Sequence, residues 1–299
     1  MNTICVEHET TYNYAESVQQ AHHLAYLKPC SNAYQTVISQ TLDITPAPDT
    51  QHQDMDSFGN HRQFFSYQTP HQSLHVKAQC VIQTHPNPLA EVENAAIAWR
   101  EVKDLLSYSA GKPYLPASEF VFPSFYAPYV DEIKDFTLEI FNQSHNLIEA
   151  SQRLCQKIYE DFTYSPDTTQ INTPVLEAFT KRQGVCQDFS HIMISGLRSI
   201  GLSARYVSGY LLTKPSPGQE KMRGADASHA WVSIYCPTIP DHWLEIDPTN
   251  NVLAGPDHVR LAYGRDFGDV SPLRGVIRGG GEHQLNVAVT TERQEESPQ

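Results

Sequence analysis

Cys186, His229 and Asp247, in the second half of the chain, are residue types that together can perform nucleophilic catalysis. A cysteine attacks as its thiolate, and a histidine can take the thiol proton when a carboxylate orients the imidazole. Taken singly, each residue also has an ordinary structural interpretation. Most cysteines are small buried hydrophobes, and an aspartate before a proline commonly closes a turn. The chemistry therefore depends on elements that bring the three side chains together.

The element that would present Cys186 is a helix with a broad apolar stripe. Apolar residues from Phe189 to Ile200 recur at intervals of three and four positions, which predicts a helix over residues 186–200. Gly201 follows at the position where a glycine commonly ends a helix. The first turn of a helix offers free backbone N–H groups and the positive end of the helix dipole, so Cys186 is predicted to lie where a thiolate is stabilised.

His229 and Asp247 lie at the outer ends of two runs with alternating side chains, which predict two strands. If residues 236–242 connect them as an antiparallel hairpin, a symmetric pairing sets His229 directly opposite Asp247, with Cβ atoms about 4.5–5.5 Å apart. A slip of one residue would place the two side chains on opposite faces. In the favoured register Asp247 orients His229, which takes the proton from Cys186 and later returns it to a leaving amine.

The periodicity of the chain predicts an α+β protein in four parts. Residues 1–87 show alternation with a period of two and predict an antiparallel β-sandwich-like domain. Residues 88–145 form a helical and irregular connecting segment. Residues 146–290 form the catalytic core, which opens with a helix capped by Asn146. Residues 291–299 have nothing to bury and are predicted to be a disordered tail.

The composition of the 299 residues argues against several functions. Lys and Arg number 21 against 34 Asp and Glu, and the net charge of −13 disfavours binding to nucleic acid and to anionic membranes. No apolar run approaches the ~18 residues of a membrane span, and the first residues lack the basic and apolar regions of a secretory signal. The sequence therefore predicts a cytoplasmic protein with no nucleic-acid or membrane partner.

The spacing of cysteines and histidines predicts neither disulfides nor a metal site. The six cysteines are scattered without a Cys-x-x-Cys pair, which indicates reduced thiols. The 14 histidines show no metal-ligand spacing beside a carboxylate. The glycine run at residues 279–281 lacks the strand-to-helix context of a phosphate-binding loop. We therefore expect no cofactor and no metal.

Four segments carry a resemblance that joins these predictions: residues 184–191 (GVCQDFSH), 204–210 (ARYVSGY), 226–231 (DASHAW) and 247–250 (DPTN). In order and spacing they resemble the core signature of bacterial transglutaminase-like proteins, which are often described as candidate cysteine proteases. The β-rich first third and residues 269–276 (DVSPLRGV) resemble further parts of that family. The resemblance implies a papain-like α+β core, in which a nucleophile helix packs on an antiparallel sheet and Cys186, His229 and Asp247 form a catalytic triad.

The resemblance also implies roles for three further residues. Tyr164 is placed near the nucleophile, where its hydroxyl is a candidate donor to an oxyanion hole; a packed aromatic at a helix end is the alternative. Gln187 and Asp188 follow the nucleophile in the family pattern, and we expect them to support the helix start more than the chemistry. The backbone N–H of Cys186 is the other candidate oxyanion donor.

The implied activity is acyl transfer from an amide bond of a peptide or protein, through a thioester on Cys186. Hydrolysis is favoured, because transamidation requires an amine site that excludes water and the sequence identifies none. Transamidation and a non-catalytic interaction scaffold remain alternatives, as does an N-terminal domain that delivers a partner to the core. A peptide or protein substrate is the partner implied; its identity and the oligomeric state are left open.

Overall fold

The structure, a computed structural model, describes residues 2–86, 96–213, 224 and 226–294. These residues form an α+β fold with two larger antiparallel sheets and a set of helices. The predicted boundary between residues 87 and 88 lies outside the described residues, and so do residues 89–95 of the connecting segment. Within the described ranges, no helix is both long enough and apolar enough to cross a membrane.

The N-terminal region contributes five strands: β1 (Asn2–Ala25), β2 (Gln35–Thr45), β3 (Thr50–Met55), β4 (His61–Tyr67) and β5 (His71–Thr84). They form one antiparallel sheet in the order β2-β5-β1-β4-β3. The long strand β1 pairs with β5 along its first half and with β4 along its second half, with an irregularity between Asn13 and Val18. Alternate residues of β1 and β5 are buried, as the period-two pattern predicts.

Helices occupy the middle of the chain: α1 (Trp99–Leu106), α2 (Asp131–Phe141), α3 (Leu147–Asp161), α4 (Val175–Lys181) and α5 (Cys186–Ser199). Trp99, Val102 and Leu106 form the buried face of α1. The Asn146 side chain caps α3 by accepting from the Ile148 N–H at 2.9 Å, as the sequence predicts. The helix predicted over residues 186–200 is α5, and Gly201 follows it with a positive φ of 89°.

The core sheet lies against α5 and carries the other candidate residues. A short parallel pair, β6 (Thr163–Tyr164) and β7 (Gln183–Gly184), precedes α5. The sheet itself has the order β11-β10-β9-β8-β12, formed by β8 (Ala204–Leu211), β9 (Ser228–Tyr235), β10 (Trp243–Asp247), β11 (Val252–Leu253) and β12 (His258–Gly264). α5 packs between this sheet and α2, and Gly196 permits the close approach because a Cβ there would collide with Thr137.

The β9–β10 hairpin forms, but its register differs from the predicted one by two residues. Tyr235 pairs with Trp243 and not with Asp241, so His229 is not directly opposite Asp247. Asp241 lies in a 3-10 turn with a positive φ of 58°, which keeps it out of the ladder, so that the first pair of the hairpin joins Tyr235 to Trp243. Because the shift is an even number of residues, His229 and Asp247 still share one face and meet diagonally.

The C-terminal residues return to the N-terminal sheet. After the short helix α6 (Phe267–Val270), β13 (Leu273–Gly279) and β14 (His283–Arg293) both pair with β1. The prediction that assigns residues up to 290 to the core and residues 291–299 to a disordered tail is therefore wrong for residues 273–293. The alternating pattern of these strands is weak because many of their side chains are exposed. Residues 295–299 of the predicted tail lie outside the described residues.

The two sheets share an apolar interface and a pair of buried hydrogen bonds. Tyr210 of β8 and Val259 of β12 are buried in the same cluster as the inner residues of β1 and β5. The Gln35 amide of β2 accepts from the Arg260 N–H at 2.8 Å and donates to the Arg260 carbonyl at 2.7 Å. The N-terminal sheet therefore provides hydrogen-bond partners for backbone groups of β12 that would otherwise be unpaired, because β12 is the edge strand of the core sheet.

Candidate active site

Hydrogen bonds at the start of α5 fix the position of Cys186. The Asp188 carboxylate accepts from the Val185 N–H at 2.8 Å and from the Thr169 hydroxyl at 2.7 Å. The preceding loop is thereby tied to the first turn of the helix. Gly184 is needed because a Cβ there would lie 2.6 Å from an Asp188 carboxylate oxygen. Cys186, half-buried, is the first residue of α5.

β9 and β10 bring His229 and Asp247 into contact at one end of the core sheet. His229 Nε2 and Asp247 Oδ2 are 2.7 Å apart, the Asp247 side chain is fully buried, and the His229 side chain is 10% exposed. The other carboxylate oxygen accepts from the backbone N–H groups of Thr249 (2.9 Å) and Asn250 (3.3 Å). The turn after β10 therefore orients the carboxylate, which in turn orients the imidazole.

The Cys186 thiol lies beside the same imidazole. Hydrogen bonding with Cys186 is one of the interactions that raise the pKa of His229. Because Asp247 occupies Nε2, Nδ1 is the ring nitrogen left for the sulfur. The backbone N–H of Cys186 has no acceptor among the described residues, so it is free to bind a developing negative charge.

Opposing effects set the protonation of this pair. Burial lowers the pKa of His229, but the hydrogen bonds and charges of Asp247 and Cys186 outweigh burial and raise the pKa to about 10. Burial likewise raises the pKa of Asp247, yet the hydrogen bonds and charges of His229 and His258 hold that pKa well below its usual range. At neutral pH an imidazolium therefore rests on an ionised carboxylate, next to the sulfur.

Asp247 has two further side-chain partners. His258 Nε2 is 3.2 Å from the oxygen that binds His229, and the Asn250 amide donates to that oxygen at 2.7 Å. The DPTN turn is a signal that points to Asn250. Sequence spacing gives no signal for His258, because it opens β12, on the far side of the sheet from β10. His258 is therefore a residue of the site that the sequence does not predict.

Three supporting residues were predicted from the family pattern, and the structure places each of them. Tyr164 pairs with Gly184 through β6 and β7, close to Cys186, and its side chain is 53% exposed. Burial and the negative charge of Cys186 raise the pKa of its phenol. The Gln187 amide donates to the Ile171 carbonyl at 2.9 Å, so it holds the loop before α4, while Asp188 holds the start of α5.

His229, Asp247 and His258 are also the one group, among the residues described, whose ligand atoms are close enough together to hold a metal ion, all within 4.8 Å. Their hydrogen bonds fit a proton-sharing network better. The Gly255 N–H donates to His258 Nδ1 at 3.2 Å, which leaves the ring proton on Nε2, directed at Asp247. A metal on Nε2 would require a proton on Nδ1, against the Gly255 donor.

Comparison with protein families identifies both parts of the chain. Residues 4–83 match the bacterial transglutaminase-like N-terminal region, and residues 134–248 match the transglutaminase-like superfamily. The second match contains Cys186, His229 and Asp247. An uncharacterised protein of Mycobacterium tuberculosis is 35% identical over 284 residues, which cover 94% of this chain and 89% of that protein. An uncharacterised protein of Mycobacterium leprae is 30% identical over 291 residues, covering 96% and 98% of the two chains.

A solved structure shows the same fold. The crystal structure of a candidate cysteine protease from Cytophaga hutchinsonii superposes with a TM-score of 0.72 at 19% identity, covering all of this chain and 92% of the other. The N-terminal antiparallel sheet and the papain-like core are thus a known combination. On both family matches and on the mycobacterial relatives, this chain belongs to the bacterial transglutaminase-like proteins of the transglutaminase-like superfamily.

Proposed function

We propose that this protein is a cysteine hydrolase, a peptidase or amidase, that cleaves an amide bond of a peptide or protein. Cys186 is the nucleophile, His229 the acid and base, and Asp247 the residue that orients His229. The observation that carries the proposal is the 2.7 Å contact between His229 Nε2 and Asp247 Oδ2, with the Cys186 thiol close enough to hydrogen-bond the same imidazole. Membership of the transglutaminase-like superfamily supports the same chemistry.

Acylation begins when the Cys186 thiolate attacks the carbonyl carbon of the amide and forms a tetrahedral intermediate. The carbon–nitrogen bond then breaks, and the leaving amine takes the proton held by His229. An acyl thioester on Cys186 remains. In the second half, neutral His229 takes a proton from water as the water oxygen attacks the thioester, and the acid leaves as the thiolate re-forms. Asp247 stays ionised throughout and stabilises the imidazolium.

The oxyanion of each tetrahedral intermediate needs donors aimed at its oxygen. We propose the backbone N–H of Cys186 as the first donor, because it is free among the described residues. The Tyr164 hydroxyl is our candidate for the second, supported by its position beside the start of α5. Asp188 acts only by fixing that start, and Gln187 only by holding the loop before α4.

Hydrolysis is preferred to transamidation because nothing in the described residues identifies a site that would hold an amine and exclude water. A non-catalytic scaffold is a weaker candidate. A protein that only binds a partner does not require Cys186, His229 and a buried Asp247 to lie in contact. We further propose a cytoplasmic location, supported by six unpaired cysteines, all of them within the described ranges. Fractionation of cells expressing the tagged protein tests that location.

An active-site-directed thiol probe, followed by mass mapping, tests the proposed function. We expect labelling of Cys186 in the folded protein, loss of labelling in Cys186→Ala, and strong reduction in His229→Ala. Cys30→Ala is the matched control, because Cys30 is also half-buried but lies away from His229. Labelling that survives His229→Ala unchanged would refute the assigned base. A labelled primary amine offered with a peptide library separates the two reactions, since transamidation incorporates the amine and hydrolysis yields only free acid.

A further inference from the structure

Asp247 is contacted by an imidazole that the proposed reaction does not use. His258 is 4% exposed, and its Nε2 lies 3.2 Å from Oδ2 of Asp247, the oxygen that also binds His229. Both nitrogens of His258 have partners, because the Gly255 N–H donates to Nδ1 at 3.2 Å. That backbone donor fixes the tautomer, so His258 presents an N–H to Asp247 in one orientation.

Packing around the Trp231 indole positions His258 for this contact. Gly209 of β8 pairs with His229, and a Cβ on Gly209 would lie 2.5 Å from the indole of Trp231. The indole therefore lies across β8. It packs against the His258 ring in a T-shaped arrangement, with ring centroids 5.1 Å apart and an interplanar angle of 77°. Trp231 is itself held, since its Nε1 donates to Glu245 at 3.0 Å. His258 is thus fixed by ring packing on one side and by Gly255 on the other.

We infer that His258 is a positioning residue, which holds the Asp247 carboxylate in the orientation that His229 requires. The inference rests on the proposed function and assigns it one more residue. Oδ2 receives donors at 2.7 Å from His229, 2.7 Å from Asn250 and 3.2 Å from His258. From α3, the Cys155 thiol donates to the backbone carbonyl of Asp247 at 3.4 Å. His229, Asn250 and His258 come from three different segments and together keep the carboxylate from rotating away, while Cys155 holds the backbone of the same residue.

The contact matters most when His229 loses its proton. During deacylation His229 is neutral before it takes a proton from water, and its hold on Asp247 is then weaker. His258 continues to donate to Oδ2 through this step, so the carboxylate stays ionised and in place. Without His258, the carboxylate loses one donor and holds the imidazolium less firmly, so we expect Cys186 to react more slowly at neutral pH.

The test measures how fast iodoacetamide alkylates Cys186 across about pH 5 to 9. In His258→Leu we expect alkylation at neutral pH to slow about tenfold, the effect of losing one hydrogen bond to a charged group, and the pH midpoint to rise by about one unit. His258→Gln restores a donor and should recover most of the rate. His8→Leu is the matched control: His8 lies in β1 of the N-terminal sheet, is 2% exposed and is hydrogen-bonded to Tyr210 of β8, so the same change there should leave the midpoint unmoved.

Thermal unfolding of each variant separates positioning from folding. If His258→Leu does not fold, His258→Phe keeps a ring against Trp231 and should show the same shift. An unmoved pH midpoint in a folded variant overturns the inference, as does an equal loss of rate and of stability in His258→Leu and His258→Gln. Failure of the proposed function has a different signature, because wild-type labelling of Cys186 would then be independent of His229.

Discussion

The negative charge of Asp247 sets the protonation of His229, and Asp247→Asn removes that charge while keeping the side-chain shape. The pKa of His229 rises from 6.5 to about 10 in spite of burial, with Asp247 and Cys186 as the stabilising partners. At about 1.4 kcal/mol per pKa unit, the net preference for the imidazolium is about 5 kcal/mol. If Asp247 supplies about half, its loss costs about 2–3 kcal/mol, equivalent to a roughly 30- to 150-fold decrease in kcat/KM.

The asparagine amide adds a second effect. If it donates to Nε2, the ring proton must move to Nδ1, the nitrogen that faces Cys186, and the base is lost. We expect the pKa of His229 to fall by about two units in Asp247→Asn. NMR titration of the imidazole ring protons measures this change. Amide hydrolysis and alkylation of Cys186 should fall together.

The matched control for this substitution is Asp269→Asn. Asp269 pairs with Arg265 at 2.8 Å, a partly exposed contact away from His229. The control should leave both the pKa of His229 and the rate unchanged. A His229 pKa that stays near 10 in folded Asp247→Asn would refute the electrostatic reasoning, and an equal loss in the control would show that the effect is general destabilisation.

Three further predictions concern the helix start, the buried histidines and the oxyanion site. Gly184→Ala should destabilise the protein by about 1–3 kcal/mol and reduce Cys186 labelling, because the new Cβ would lie 2.6 Å from a carboxylate oxygen; Gly255→Ala, where the nearest atom is 3.9 Å away, should do neither. Burial lowers the pKa of His8 and of His23 to about 4, so the stability they contribute is present above pH 6.5 and is lost as the pH falls towards 4. The free energy of unfolding, measured in urea at a series of pH values, should decrease over this range. A free energy that does not change with pH there would contradict the prediction. Tyr164→Phe should lower kcat about tenfold or more with KM unchanged, because the hydroxyl binds the oxyanion. Steady-state kinetics on a cleaved peptide measures both constants, and an unchanged kcat would contradict this role of Tyr164.

Local signals in the sequence predicted the element that carries Cys186. The apolar stripe from Phe189 onward and the glycine at 201 mark the helix because both depend on contacts within a few residues. The hairpin that carries His229 and Asp247 was predicted with the correct faces but a register wrong by two residues. Its connection contains Asp241 and His242 with positive φ, a conformation that both residue types tolerate but that their presence alone does not specify.

Contacts between distant segments could not be predicted in this way. His258 reaches Asp247 at the end of a sheet in which the indole of Trp231 lies over Gly209 and packs against the His258 ring, and three strands must be in place before that packing exists. Likewise, β14 pairs with β1 across almost the whole chain, from Ile4 to Arg293. Many of its side chains are exposed, so its sequence resembles that of a solvated segment, and the predicted tail began too early.

The pairing of the two sheets bears on how the N-terminal region serves the site. Gln35 satisfies both backbone groups of Arg260, whose guanidinium pairs with Glu245 at 2.9 Å in the interior. Glu245 in turn accepts from Trp231, which packs against His229 and His258. A buried ion pair is stable only while its surroundings remain dry and fully hydrogen-bonded. Deleting residues 1–87 would therefore uncover the edge of the core sheet and loosen the support of the candidate base, so loss of activity on truncation would not demonstrate that this region delivers a partner. Substitutions confined to exposed side chains of the N-terminal sheet would test delivery without disturbing that support.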